Sequence, residues 1–122
     1  MSPNITAHET RCTWQMFDEA IARIASALSH QEKPVGIYGI PRGGLVPAVA
    51  LSHALGVPLL GAPCEGCIIV DDICDTGATL EPFAGRYRTV TLYGNAGASV
   101  QPDIAVYAKD GAWIRFPWEW ED

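Results

Sequence analysis

A continuous apolar run, Cys67-Ile68-Ile69-Val70, ends in two adjacent carboxylates, Asp71 and Asp72, and leads through a third, Asp75, into the small-residue loop Thr76-Gly77-Ala78-Thr79. An apolar run this short reads as a buried strand that delivers acids to the edge of a sheet. The small residues after it let backbone N–H groups approach an anion, and the hydroxyls of Thr76 and Thr79 add donors. Acids beside a phosphate repel it unless they face sugar hydroxyls or a divalent cation. A phosphorylated sugar held with Mg²⁺ satisfies every part of that pattern.

The remaining composition narrows the class. A chain of 122 residues, 48% hydrophobic and 18% charged, predicts one ordered domain over 1–122. A net charge of −6 supplies no basic footprint, so nucleic acid is not an expected partner. Residues 1–13 lack the apolar segment of a signal peptide, and the apolar stretch 46–60 is broken by Ser52, His53, Gly56 and Pro58. No membrane partner is therefore expected, and the setting is cytoplasmic, with four reduced cysteines. Cys64-Glu-Gly-Cys67 has no second ligand pair at metal spacing and reads as a tight turn entering a strand.

Thr13 is a candidate N-cap, with Phe17, Ile21, Ile24 and Leu28 forming the apolar stripe of one amphipathic helix. Residues 35–40 are strand-like, and 45–55 read as a helix stopped by Gly56. Strands are expected at 57–60, 67–70, 89–93, 104–107 and 113–116. A further helix is expected over 77–87, short or irregular because of Pro82 and Gly85. Strands alternating with helices predict an α/β fold with a mostly parallel sheet covered on both faces. Ligands of such sheets sit at the carboxyl ends of the strands. Two candidate loops fall there: the acid-rich one above, and Pro41-Arg42-Gly43-Gly44, whose glycines and cation suit a second anion.

Other phosphate chemistries fail on spacing. No Gly-x-x-x-x-Gly-Lys-Ser/Thr and no Gly-x-Gly-x-x-Gly is present. A receiver domain would carry its acidic pair after the first strand, and Asp72-Ile-Cys-Asp75 is one residue too long for an Asp-x-Asp phosphatase nucleophile.

Residues 68–80 resemble the PRPP-binding signature of the type I phosphoribosyltransferases, PRPP being 5-phosphoribosyl-1-pyrophosphate. Thr13-Trp-Gln-Met16, Arg42-Gly-Gly-Leu-Val-Pro47 and Trp113-Ile-Arg-Phe-Pro-Trp-Glu119 extend the likeness over nearly the whole chain, toward the xanthine-guanine and related short purine enzymes. The resemblance implies a type I phosphoribosyltransferase fold with a minimal hood and Mg²⁺ as cofactor. It implies that Asp71 and Asp72 bind the ribose hydroxyls, directly or through Mg²⁺, and that Asp75 sits near the purine N7. Thr76, Gly77, Ala78 and Thr79 would hold the 5′-phosphate. Arg42, Gly43 and Gly44 would hold the pyrophosphate, with unusual backbone geometry before the glycine. Trp113 would stack on the base and the Ile114 backbone would read its edge; by residue type, Trp118 and Trp120 read as packing for the C-terminal tail or a subunit contact.

The sequence departs from the family twice. Only residues 61–66 separate Leu60 from Cys67, where the family has a long flexible lid. Its loss implies slower transfer, PRPP hydrolysis or binding alone, unless a partner subunit supplies the cover. The lysine that reads the 6-oxo group aligns with Asn95, which offers both a donor and an acceptor, or serves only as a turn residue. The expected activity is transfer of phosphoribose from PRPP to a nucleobase, purine type, by a homodimer or higher homo-oligomer. The alternatives are a PRPP- or nucleoside monophosphate-binding module without transfer, and a receiver-like signalling domain.

Overall fold

The computed structural model describes residues 9–119. In chain order its elements are β1 (Glu9–Arg11), α1 (Trp14–Leu28), β2 (Ile37–Gly39), α2 (Leu45–Leu55), β3 (Ile68–Cys74), β4 (Arg88–Gly94), β5 (Ile104–Ala108), β6 (Trp113–Arg115) and a 3₁₀ turn, Pro117–Glu119. Strands β2-β3-β4-β5 form one sheet in that order, every neighbouring pair parallel. The α/β fold with a parallel central sheet flanked by helices is thus the one expected.

Both helices begin and end for local reasons. The Thr13 hydroxyl accepts the Met16 N–H at 3.0 Å, satisfying a donor that the first turn leaves unpaired. The face of α1 that follows buries Phe17, Ala20, Ile21, Ile24 and Leu28. Helix α2 stops at Gly56, whose φ of +66° a side chain would resist.

Alternation along β3 sends Ile68 and Val70 into the main core with α1, α2, Val90 and Leu92. Cys67 and Ile69 point to the opposite face, against Tyr38, Leu80, Phe83 and Tyr87. Among the described residues α1 and α2 pack on the first of these faces, and the segment 77–87 covers the second. The expected helix over 77–87 is instead a series of turns. The Glu81 N–H reaches Gly77 O at 2.9 Å and Ala84 N–H reaches Leu80 O at 3.0 Å. Pro82 contributes no N–H between them, and Gly85 turns the chain at φ +81°.

Three other expectations change. Residues 57–60 form no strand; Leu59 makes a single parallel bridge to Ile37. Strand β3 continues past Val70 through both acids to Cys74. Strand β6 leaves the main sheet and pairs in parallel with β1, Trp113 opposite Glu9 and Ile114 opposite Thr10. Arg115 Nε reaches Glu9 Oε2 across that pair at 3.1 Å. Trp118 stacks on Phe116 with centroids 4.9 Å apart and meets Phe17 edge-on at 5.7 Å, the packing role expected of it. Trp120 lies outside the described residues.

Candidate active site

Strand β3 lies between β2 and β4, so its carboxyl end opens at the middle of the sheet. Asp71, near that end, is 7% exposed. Its Oδ1 accepts the Asp72 N–H at 2.9 Å. Burial, reinforced by the neighbouring Asp72 charge, pushes the Asp71 carboxyl up to about 8. Burial pushes Asp72 upward as well, opposed by its hydrogen bond with Asp71. A buried and a half-buried acid that resist ionising form a site prepared for positive charge or hydroxyl donors.

The two sequence loops meet here. Ile40 N–H donates to Val70 O at 2.9 Å, binding the end of β2 to β3. Gly43 lies so close to the Asp72 carboxylate that an added Cβ would overlap it. The peptide between Pro41 and Arg42 is cis, one residue ahead of the bond at which unusual geometry was expected. Arg42 is exposed, and Gly44 is buried against the Val70 carbonyl.

A cleft of about 290 Å³ is lined by Ile40, Pro41, Asp71, Asp72, Asp75 and the loop residues Thr76, Gly77 and Thr79. Ala78 is exposed and does not line it, nor do Arg42, Gly43 and Gly44, which stand beside it. The loop is held from behind: Ser99 N–H donates to Thr76 O at 2.8 Å, and Thr76 Oγ1 accepts the Ala78 N–H at 3.2 Å. Gly77 has φ +96° and leaves no room for a Cβ beside Ser99 and Val100, so only glycine fits.

A second cleft, about 170 Å³, opens on the other side of the same acids. It is lined by Asp72, Ile73, Asp75, Lys109, Trp113 and Ile114, with Phe116 and Glu119. The two clefts share Asp72, Ile73 and Asp75 as lining residues and so adjoin at these acids. Trp113 is 68% exposed, which rules out a core role. Ile114 is buried beneath it.

Asp75 differs from Asp71 and Asp72. Its Oδ1 accepts from Asn95 Nδ2 at 3.0 Å, and Lys109 Nζ is 3.4 Å away. The Asn95 hydrogen bond, aided by the Lys109 charge, holds its carboxyl below the ordinary aspartate value. Asn95 sits in the turn that follows β4, beside Asp75. Its Oδ1 accepts the Gly97 N–H at 2.9 Å, its amide donates to Asp75, and it does not line the Trp113 cleft. It is a turn residue that orients an acid. Lys109 was not anticipated, although a cation just past a parallel strand stands where ligands bind in such sheets. Its backbone N–H donates to Gly94 O at 2.9 Å, which fixes the end of β5 beside that of β4.

The residues present fit a divalent cation. Asp71, buried, and Asp72, half-buried beside it, lose the costs of desolvation and mutual repulsion when one binds. Among the described residues no three His, Cys, Asp or Glu side chains converge on a point. The remaining ligands would come from water and phosphate oxygens, the usual mode for Mg²⁺. Cys64 and Cys67 form the expected turn, Cys67 N–H donating to Cys64 O at 3.1 Å. Among the described residues no helix is long and apolar enough to cross a membrane.

No protein-family model matches the chain. Among solved structures, a purine phosphoribosyltransferase from Pyrococcus horikoshii Ot3 is 36% identical with a TM-score of 0.80, over 94% of this chain and 96% of that one. The xanthine-guanine-hypoxanthine phosphoribosyltransferase of Helicobacter pylori is 16% identical with a TM-score of 0.75, over 92% and 94%. A hypothetical protein from Neisseria gonorrhoeae with bound ppGpp is also 16% identical, TM-score 0.74, over 94% and 91%. The last two bear on the fold alone. Similarity to the Pyrococcus protein along nearly the full length of both chains, with an acid-ended central strand and a glycine-fitted loop, means that this chain belongs to the phosphoribosyltransferase family.

Proposed function

We propose that the protein is a Mg²⁺-dependent purine phosphoribosyltransferase that converts a purine base and PRPP to nucleoside monophosphate and pyrophosphate. The observation that carries this reading is that the two clefts adjoin at Asp72 and Asp75. A ligand lying across them has its phosphate at Thr76–Thr79, its sugar over Asp71 and Asp72, and a flat base against Trp113. The purine relative from Pyrococcus supports the choice of base.

In the transfer, the purine N9 lone pair forms the new bond to ribose C1, the bond from C1 to pyrophosphate breaks, and the proton on N7 leaves. Asp75, kept as a carboxylate, accepts the N7–H hydrogen bond and then the proton, directly or on its way to solvent. Asp71 and Asp72 face the side on which positive charge grows at the sugar. Asp71 and Asp72, with water and phosphate oxygens, would hold Mg²⁺, which would supply countercharge for pyrophosphate. Arg42, Gly43 and Gly44 take the pyrophosphate itself, through a cation and closely approaching backbone. Trp113 docks the base on an aromatic face, with the Ile114 backbone at its edge. Ala78 contributes its backbone to the phosphate loop.

The reading carries with it a single domain over 1–122, a cytoplasmic setting and a homodimer or higher homo-oligomer. The test is base-dependent release of pyrophosphate from Mg-PRPP across a panel of nucleobases. Asp75→Asn is expected to slow it by about 100-fold or more. A folded sample that turns over no base refutes transfer. The short connection at 61–66 favours a second reading, binding of PRPP or nucleotide without transfer. Calorimetry that records Mg-PRPP binding beside absent turnover selects it.

A further inference from the structure

Lys109 is the cation of the Trp113 cleft, and it comes from the end of β5. Its side chain is 11% exposed, an unusual burial for an ammonium. Among the described residues its ion-pair partner is Asp75, at 3.4 Å. A charge-assisted N–H···O bond is closer, about 2.7–2.9 Å, so the pair is loose. An ammonium carries three donors and no acceptor. Lys109 therefore retains donor capacity, and it lines a cleft that an exposed indole also lines.

The pair offers an acceptor and a donor side by side. One edge of a purine presents N7 and the 6-substituent side by side. A free base protonated at N7 shows a donor there. Hypoxanthine and guanine place an acceptor, O6, next to it, whereas adenine places an amino donor. Asp75 matches the N7–H of either. Lys109 matches O6 and opposes the adenine amino group. Asn95, the residue aligned with the family's base-reading lysine, is committed to Gly97 and Asp75.

We infer that Lys109 is the specificity-determining residue of the base site, selecting purines with a 6-oxo group over adenine. In the empty site it rests against Asp75, and an entering 6-oxopurine takes its place as partner to both groups. The inference rests on the reading of the Trp113 cleft as the base site.

The test uses the full chain with Mg²⁺ and pyrophosphate, so that bases bind without reacting. Equilibrium binding of hypoxanthine and adenine is measured for the native protein, Lys109→Met and Lys109→Arg, with Mg-PRPP binding followed separately. The native protein is expected to prefer hypoxanthine. Lys109→Met should weaken hypoxanthine by roughly 10- to 100-fold while leaving adenine nearly unchanged, and Lys109→Arg should restore most of the preference. Native preference for adenine, equal weakening of both bases, or no binding of either base overturns the inference. Mg-PRPP binding decides the broader reading independently: if it persists while base preference does not follow Lys109, only the role of Lys109 falls.

Discussion

Asp71→Asn should make the metal-free protein more stable and the enzyme inactive. Asp71 is 7% exposed, and burial together with the Asp72 charge raises its carboxyl from 3.8 to about 8. Across that window the folded chain holds a proton that the unfolded chain has released. Stability from this group is therefore complete below about pH 4 and is lost as pH rises toward about 8. Each pH unit crossed costs about 1.36 kcal/mol, which sets a ceiling of about 4 kcal/mol at pH 7. Asp72 shares the burden, because neutralising either acid relieves the repulsion on both, and about 2 kcal/mol of recovered stability is the expected gain. Asparagine keeps an Oδ1 for the Asp72 N–H, so no donor is orphaned. For a chain of this size that gain corresponds to about 10 °C in Tm. At pH 5 only about one unit of the window is crossed, and the gain shrinks below about 1 kcal/mol. Urea or thermal unfolding in chelator at pH 5 and pH 7.5 measures both. A variant no more stable than the parent at pH 7.5, or one that gains equally at both pH values, refutes the reasoning. The same variant should lose Mg-PRPP affinity, since the strain of paired acids is what the bound sugar and cation relieve.

Two further predictions concern the residues around those acids. Gly43→Ala places a methyl on the Asp72 carboxylate and should cost about 1–3 kcal/mol of stability while weakening Mg-PRPP in calorimetry; unchanged values of both count against the close approach. Asn95→Ala removes the hydrogen bond that lowers Asp75, so its carboxyl rises toward the ordinary aspartate value and the acidic limb of the pH–rate profile moves to higher pH. A limb that stays in place means Asn95 does not tune Asp75.

The opposing titrations suit a site with two tasks. Asp71, buried, and Asp72, half-buried, are reluctant to ionise without a cationic or hydroxyl partner, whereas Asp75 is half exposed and held ionised by an amide and an ammonium. The two environments lie at opposite ends of one short stretch of chain, because β3 ends at Cys74 and Asp75 begins the loop.

Much of this was legible in the amino-acid sequence, wherever the determining forces are local. Thr13 announces α1, the Phe17–Leu28 stripe its buried face, and Gly56 the end of α2, since caps and periodicity act within a few residues. The acid-ended apolar run announces the central strand, and the small residues after it the loop that lines the cleft. Contacts between distant segments were not legible. The polar β1 has no strand signature and exists because β6 pairs with it 104 residues away, Glu9 opposite Trp113. Pro82 and Gly85 override the helix-like pattern of 77–87, and the turns that replace it still cover Ile69 and Leu80. Asn95 and Lys109 look alike as polar residues past a strand. Only the parallel register of β4 with β5 turns the first into a support for Asp75 and brings the second to its carboxylate, across a gap that no local propensity encodes.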